Sequence, residues 1–440
     1  MPDGPKLTAL EKLNALRSGE VNLITYLESI CDLIEEKEPS IHAFVDGTYD
    51  RARILSDAEA LLARFPDRER RPSLFGLALG VKDLIRVDGI PTRCGSKLPP
   101  ELFDGKEADC VTRLIDAGAI VMGKTITPEF GTRAPVPTCN PYNLAHTSGG
   151  SSAGSAAGVA SGFFPVAFGT QTVGSIIRPS AYCGVVGFKP SLPRIPMSGV
   201  IPFAPICDHA GVICHDISIL PEIASVFLDD WQLVDPPKIE SLTIGIFEGP
   251  YMEMASENER AFFQSAARHI ESLGVALKQS RQWENIGDLN LLHRRMAFAG
   301  IARSHADWYR EYGNVYSPQA IKVIEIGRAV PDEEYGALCA ATIDNRTAIE
   351  QVMDDLEIDC WMTPATPDHA PHGHQSTGEA SMNMIWTNTG MPVITIPYVF
   401  DQLGLPHGLQ LVGRLGQDEA LVEIAKLIAG MFPSIDGKEM

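Results

Sequence analysis

The chain has 440 residues, 45% hydrophobic and 21% charged, an ordinary globular composition. Its net charge of −20 argues against a sequence-independent grip on nucleic acid, which relies on Lys and Arg meeting phosphates. No apolar run reaches the roughly 18 residues needed to span a bilayer, residues 1–16 lack the apolar core of a secretory signal, and nine cysteines without a CxxC pair suit reduced thiols in the cytoplasm.

Along the chain, residues 7–17, 23–36 and 57–65 carry apolar side chains at helical spacing, giving a helical N-terminal segment over 1–70. From Leu74 the texture changes to "LFGLALGVKDLI", a buried strand ending near Lys82. Residues 110–117 read as a helix, 120–122 as a strand, 128–148 as loop and 166–170 as another strand. Residues 242–247 form a further strand candidate. A helix then opens with the capping box Ser256-x-x-Glu259 and closes before Gly274. Strands at 393–397 and 409–412 and a helix at 418–429 complete the series. Helices alternating with short apolar strands predict an α/β fold, one mixed sheet covered by helices on both faces. No linker or repeat interrupts it, so a single domain spans 1–440: a core over 74–215, a variable helical region over 216–355, and closing strands over 356–440.

Two short motifs look catalytic and are better read otherwise. "GAIVMGKT", from Gly118 to Thr125, matches the phosphate-binding pattern G-x-x-x-x-G-K-[ST]. Its variable positions are themselves the strand, and Pro128 follows at once, so strand and turn is the better reading. "GSSAG" places Ser152 at the centre of a nucleophile elbow, which needs a strand running into it. The preceding "NPYNLAHTSG" is turn chemistry, although His369, His372, His374 and His407 leave a Ser-His pairing open. The cluster Cys207, Asp208, His209, Cys214 and His215 fits no ordinary zinc spacing, and no metal or other cofactor is expected.

A third stretch is longer. From Gly149 the chain reads GGSSAGSAAGVASGFFPVAFGTQTVGSIIRPSAYCGVVGFKPS, ending at Ser191. Its small residues permit close backbone approach. Thr172, Val173, Gly174 and Ser175 follow an apolar strand, where a glycine lets successive amide N–H groups point one way. Such a concavity beside a serine serves as an oxyanion hole; a tightly packed structural loop is the alternative reading.

This stretch resembles the amidase signature. "GVKDLIRVDGIPTRCGS", "DAGAIVMGKTITPEFG" and "TGMPVITIPYVFDQLGLPHGLQLVGR" extend the likeness in the family's order. The resemblance implies a Ser–cis-Ser–Lys triad made of Ser175, Ser151 and Lys82, with a cis peptide before Ser151. It also implies an oxyanion hole from the backbone N–H groups of Thr172 to Ser175. Lys82, buried among small apolar residues, would lose its charge to desolvation and act as base through Ser151. The competing reading for Lys82 is an ion pair with Asp83. The chain departs from the family at Gln171, where Asp is common, at Val173, where Gly is common, and at Arg178, one position later than usual. These departures weaken the likeness to the A subunit of tRNA-dependent amidotransferases.

What the resemblance implies is hydrolysis of a small-molecule amide or carbamate, with esters also within reach, by a monomer or homodimer. Selectivity is expected from Tyr142, Gly149, Gly150, Gln171, Ile206, Met384 and Trp386. Arg194 faces either the pocket or a surface turn. The alternative functions are the A subunit of a tRNA-dependent glutamine amidotransferase and, in another class, a catalytically silent scaffold.

Overall fold

A computed structural model describes residues 7–192 and 194–433. Twelve strands are named in chain order: β1 (Ala78–Lys82), β2 (Ile120–Thr125), β3 (Cys139–Asn140), β4 (Asn143–Thr147), β5 (Val166–Gln171), β6 (Val186–Lys189), β7 (His209–Cys214), β8 (Thr243–Phe247), β9 (Ala276–Ser280), β10 (Cys360–Pro364), β11 (Val393–Phe400) and β12 (Pro406–Val412). Ten of them form one sheet in the order β2-β1-β5-β7-β6-β11-β12-β10-β8-β9, and β3 pairs with β4 alone. The sheet is mixed. Parallel pairs at either end (β2-β1-β5 and β10-β8-β9) flank an antiparallel centre. Every residue of β1, β2, β5, β6, β7, β10 and β12 is buried, as strands covered by helices on both faces must be.

The glycine and alanine strip forms the helix Ala153–Ala160, all of whose residues are buried. Its composition has a steric cause. A Cβ on Gly154 would stand 2.1 Å from the Ala43 carbonyl oxygen, and one on Gly158 would meet the Phe164 ring at 2.3 Å. Only small residues let this helix press against the sheet. Ser155 binds it across to β2 through Thr125 Oγ1 at 2.7 Å and to the Phe168 carbonyl at 2.9 Å.

Two sequence expectations are corrected here. Residues 128–148 are not all loop, because β3 and β4 make a hairpin within them. Ser256 does cap the helix Glu257–Ser272, but the box is half used: Glu259 turns inward to His407 instead. Burial opposes a charge on His407, yet Glu259 and Asp401 outweigh it and its pKa is raised. Strand β7 occupies the stretch read as a cysteine and histidine cluster.

Candidate active site

Lys82 closes β1 at the carboxyl end of the parallel β2-β1-β5 trio, the end at which α/β sheets generally gather their ligands. Its Nζ is fully buried. It donates to Ser151 Oγ at 2.7 Å, Thr170 Oγ1 at 2.8 Å and Ser152 Oγ at 3.1 Å, with the Thr170 carbonyl at 3.4 Å. No carboxylate lies among these partners. Asp83, the counter-ion considered from sequence, instead pairs with Lys124 at 3.0 Å. Burial therefore pulls the Lys82 pKa well below its usual value; Asp208 partly restores it and Arg178 lowers it further.

Ser151 follows a cis peptide bond from Gly150. The Gly150 carbonyl accepts from Arg178 Nη2 at 2.5 Å, and Arg178 Nη1 reaches the Gly378 carbonyl at 3.0 Å. Arg178 is buried without a carboxylate partner, and desolvation lowers its pKa to about 10. Gly149 and Gly150 are packed closely. A Cβ on the first would meet Pro179 Cα at 2.9 Å, and one on the second Thr377 Cγ2 at the same distance. Gly131 comes so near Ser151 that a Cβ there would lie 3.2 Å from its Oγ.

The turn from Thr172 to Ser175 joins β5 to the helix Ile177–Tyr182. Among the described residues, the backbone N–H groups of Thr172, Val173, Gly174 and Ser175 find no acceptor within the protein, although unpaired buried N–H groups are rare. The opposite side of the turn is fully engaged. The Thr172 carbonyl accepts from His293 Nε2 at 2.9 Å and that of Val173 from Thr387 Oγ1 at 2.8 Å. Gln171 Oε1 accepts from the N–H groups of Ile176 and Ile177 at 2.8 and 3.0 Å. Burial lowers His293 to a pKa of about 4, so at neutral pH its Nε2–H donates as an uncharged ring. The carbonyls of this turn are thus bound within the protein while its N–H groups are not. Ser175 ends the turn, 8% exposed, and its carbonyl accepts from the Ser152 N–H at 3.2 Å.

Asp208, which the sequence reading weighed only as part of a cysteine and histidine cluster, lies beside Lys82. Its carboxylate accepts from Thr172 Oγ1 at 2.5 Å and from the N–H groups of Phe203 and Ala204, both at 2.8 Å. Burial raises its pKa, against the hydrogen bonds and Lys82. It lines a narrow cavity with Ser151, Leu84, Phe130, Ile201 and Phe203.

Several residues expected to select substrate have structural partners of their own. Arg194 binds Asp418 and Glu419 at 3.2 and 2.9 Å, tying its loop to the last helix. Trp386 is wholly buried, its Nε1 donating to the Tyr251 hydroxyl at 2.8 Å. Tyr142 packs on the Phe400 ring, 5.1 Å between centroids. Gln171 organises the turn as described, and Ile206 is 37% exposed. Met384 is buried with its sulfur 3.3 Å from Arg294 Nε. Ser152 is fully buried beneath Lys82 and the Thr170 backbone, not raised at the end of a strand. Residues 120–125, the would-be phosphate loop, are β2. A larger cleft of about 1370 Å³, lined in part by Glu38, Arg93 and Lys97, includes none of Lys82, Ser151 and Ser175. Among the described residues no group of His, Cys, Asp and Glu is placed to hold a metal ion, and no helix is long and apolar enough to cross a membrane.

The profile of the family Amidase matches residues 25–422. The chain belongs to the amidase family. Within it, the A subunit of glutamyl-tRNA(Gln) amidotransferase from Synechococcus sp. (strain RCC307) is 30% identical, over 94% of each chain. A crystal structure of an amidase superimposes with a TM-score of 0.87 at 25% identity, covering 97% of this chain and 100% of that one. Peptide amidase from Stenotrophomonas maltophilia shares the fold, with a TM-score of 0.80 at 22% identity and 97% of each chain covered. The large mixed sheet is thus the architecture of amidase-signature enzymes.

Proposed function

We propose that this amidase hydrolyses the C–N bond of a small-molecule amide or carbamate through an acyl-enzyme on Ser175. Neutral Lys82 accepts the proton of Ser151, and Ser151 accepts that of Ser175 as its Oγ attacks the carbonyl carbon. The N–H groups of Thr172 to Ser175 receive the oxyanion. As the tetrahedral species collapses, the proton returns through Ser151 to the departing amine. Water then attacks the acyl-enzyme by the same route, and esters can follow the same path. General acid–base transfer contributes roughly 10²–10⁴ in rate and an oxyanion donor about 10²–10³. The observation that carries this reading is Lys82, buried against hydroxyls and a carbonyl with no counter-ion. A serine-directed fluorophosphonate followed by intact-mass spectrometry tests it. One adduct that disappears in Ser175→Ala is expected, whereas an adduct that persists in that variant would refute the assignment.

The likeness to the amidotransferase of Synechococcus favours a second reading, in which ammonia is released from glutamine for a partner chain. Gln171 and Val173, where Asp and Gly are the common family residues, speak against it. A chain that purifies alone and turns over simple amides but not glutamine would set this reading aside.

A further inference from the structure

A second charged group stands beside the proposed machinery. Arg133 Nη2 meets Glu379 Oε1 at 2.5 Å, and Arg294 Nη2 meets Glu379 Oε2 at 3.0 Å. All three side chains are partly open to solvent, at 46%, 54% and 32% for Arg133, Glu379 and Arg294. Each is one or two residues from a group that touches the site. Arg133 follows Gly131, which abuts Ser151, and Arg294 follows His293, which holds the Thr172 carbonyl. Glu379 lies between Gly378, whose carbonyl is bound by Arg178, and Ala380, against which a Cβ on Gly174 would press at 2.8 Å. The cluster therefore neighbours the segments that carry Ser151 and Gly174, close enough to act on the Arg178 charge, and carries one more positive than negative charge.

The geometry points to a carboxylate subsite: Arg133 and Arg294 recognise the carboxylate of an anionic amide, and Glu379 occupies their donors until substrate arrives. This rests on the proposed hydrolase reading and names its substrate class. Arginine suits the task because its planar fork matches a carboxylate through paired N–H donors. In the proposed mechanism Ser151 returns the proton to the departing amine, so the leaving group faces Ser151 and its narrow cavity, which Asp208 also lines. The acyl arm then runs past Gly174 and Ala380 towards the arginines. An uncharged group at the cavity and a carboxylate at the far end of the acyl arm are compatible with both surfaces.

The test measures protection of Ser175 from the fluorophosphonate by succinamate and by its neutral analogue methyl succinamate. Succinamate is expected to protect at a concentration about tenfold lower, a margin typical of charge-assisted pairs, and salt should narrow the margin by screening. Glu379→Gln, which frees the arginines, widens it, and Arg294→Ala narrows it. Equal protection by the two compounds in the wild type, at low salt, would overturn the subsite without touching the nucleophile. Should Ser175 fail to label, the hydrolase reading falls, and calorimetric binding of the same pair still decides the subsite: equal affinities overturn it and a tenfold preference for succinamate upholds it.

Discussion

Lys82 and Asp83 are neighbours in sequence and partners of different residues in space. Lys82 Nζ reaches Ser151 Oγ at 2.7 Å, while the Asp83 carboxylate turns to Lys124 at 3.0 Å. The charge that would have neutralised Lys82 is thereby spent elsewhere, and desolvation is left to hold the amine below its ordinary pKa.

The first prediction follows from that depressed pKa. The base must be unprotonated, so kcat/KM for a neutral amide should rise with pH through a Lys82 pKa held below the ordinary lysine range and then reach a plateau. Asp208 is the opposing influence that raises Lys82. Asp208→Asn should therefore move the acidic limb to lower pH. A limb that stays put, or moves upward, would show that Asp208 does not act on Lys82.

Gly174→Ala tests the oxyanion turn. The added Cβ would stand 2.6 Å from Asn383 Oδ1 and 2.8 Å from Ala380 Cβ, so the turn must shift. Loss of one aligned donor costs about 10² in kcat or more. Stopped assays on the folded variant should show the fall in kcat, beside a melting temperature lowered by the overpacking; unchanged kcat would place the oxyanion elsewhere.

Arg178 holds the carbonyls of Gly150 and Gly378; Arg178→Ala strands the first, while the second keeps Arg133 Nη2 at 3.2 Å. A buried carbonyl left unpaired costs about 1–3 kcal/mol, so denaturant titration should show a loss of that order, with slower labelling of Ser175. Arg178→Lys keeps the charge but loses the fork that spans the two carbonyls, and should recover only part of either property.

Lys189 offers a stability test away from the chemistry. It is fully buried, donates to the carbonyls of Met391 and Pro190 at 2.7 and 3.1 Å, and burial lowers its pKa to about 7. The unfolded lysine keeps its proton up to roughly 10.4. Between these values the unfolded chain binds more protons, so this group adds stability as pH rises. The free-energy difference between wild type and Lys189→Met should climb by about 1.4 kcal/mol per pH unit between 7 and 10. A flat difference would mean that Lys189 stays charged in the fold.

Much of this was legible in the sequence because the signature is dictated by backbone proximity. Gly154 and Gly158 admit no side chain where they stand, so the small-residue strip could be read as a helix against a sheet. Lys82 stood out as a lysine at the end of an apolar run. Other residues were hidden because one residue type serves two ends. Trp386 looked like a pocket aromatic but donates to Tyr251 inside the core, and Arg194, which sequence left between pocket and surface turn, closes on Asp418 and Glu419. Asp208 and Arg178 gain their meaning only from contacts distant in the chain. The helices within 286–355 give a weak signal because many of their residues face solvent.

The position of β11 and β12 in the sheet has a consequence for synthesis. They insert between β6 and β10, so a chain still emerging from the ribosome lacks the middle of its own sheet. Until residues 393–412 are available, β6 presents an unpaired edge, the kind of template on which nascent chains stick to one another. The turn at Thr172 meanwhile lacks Thr387, which braces the Val173 carbonyl. Reactivity at Ser175 should therefore switch on only after Thr387 and residues 393–412 have been made, and growing chains should depend on chaperones to mask that edge.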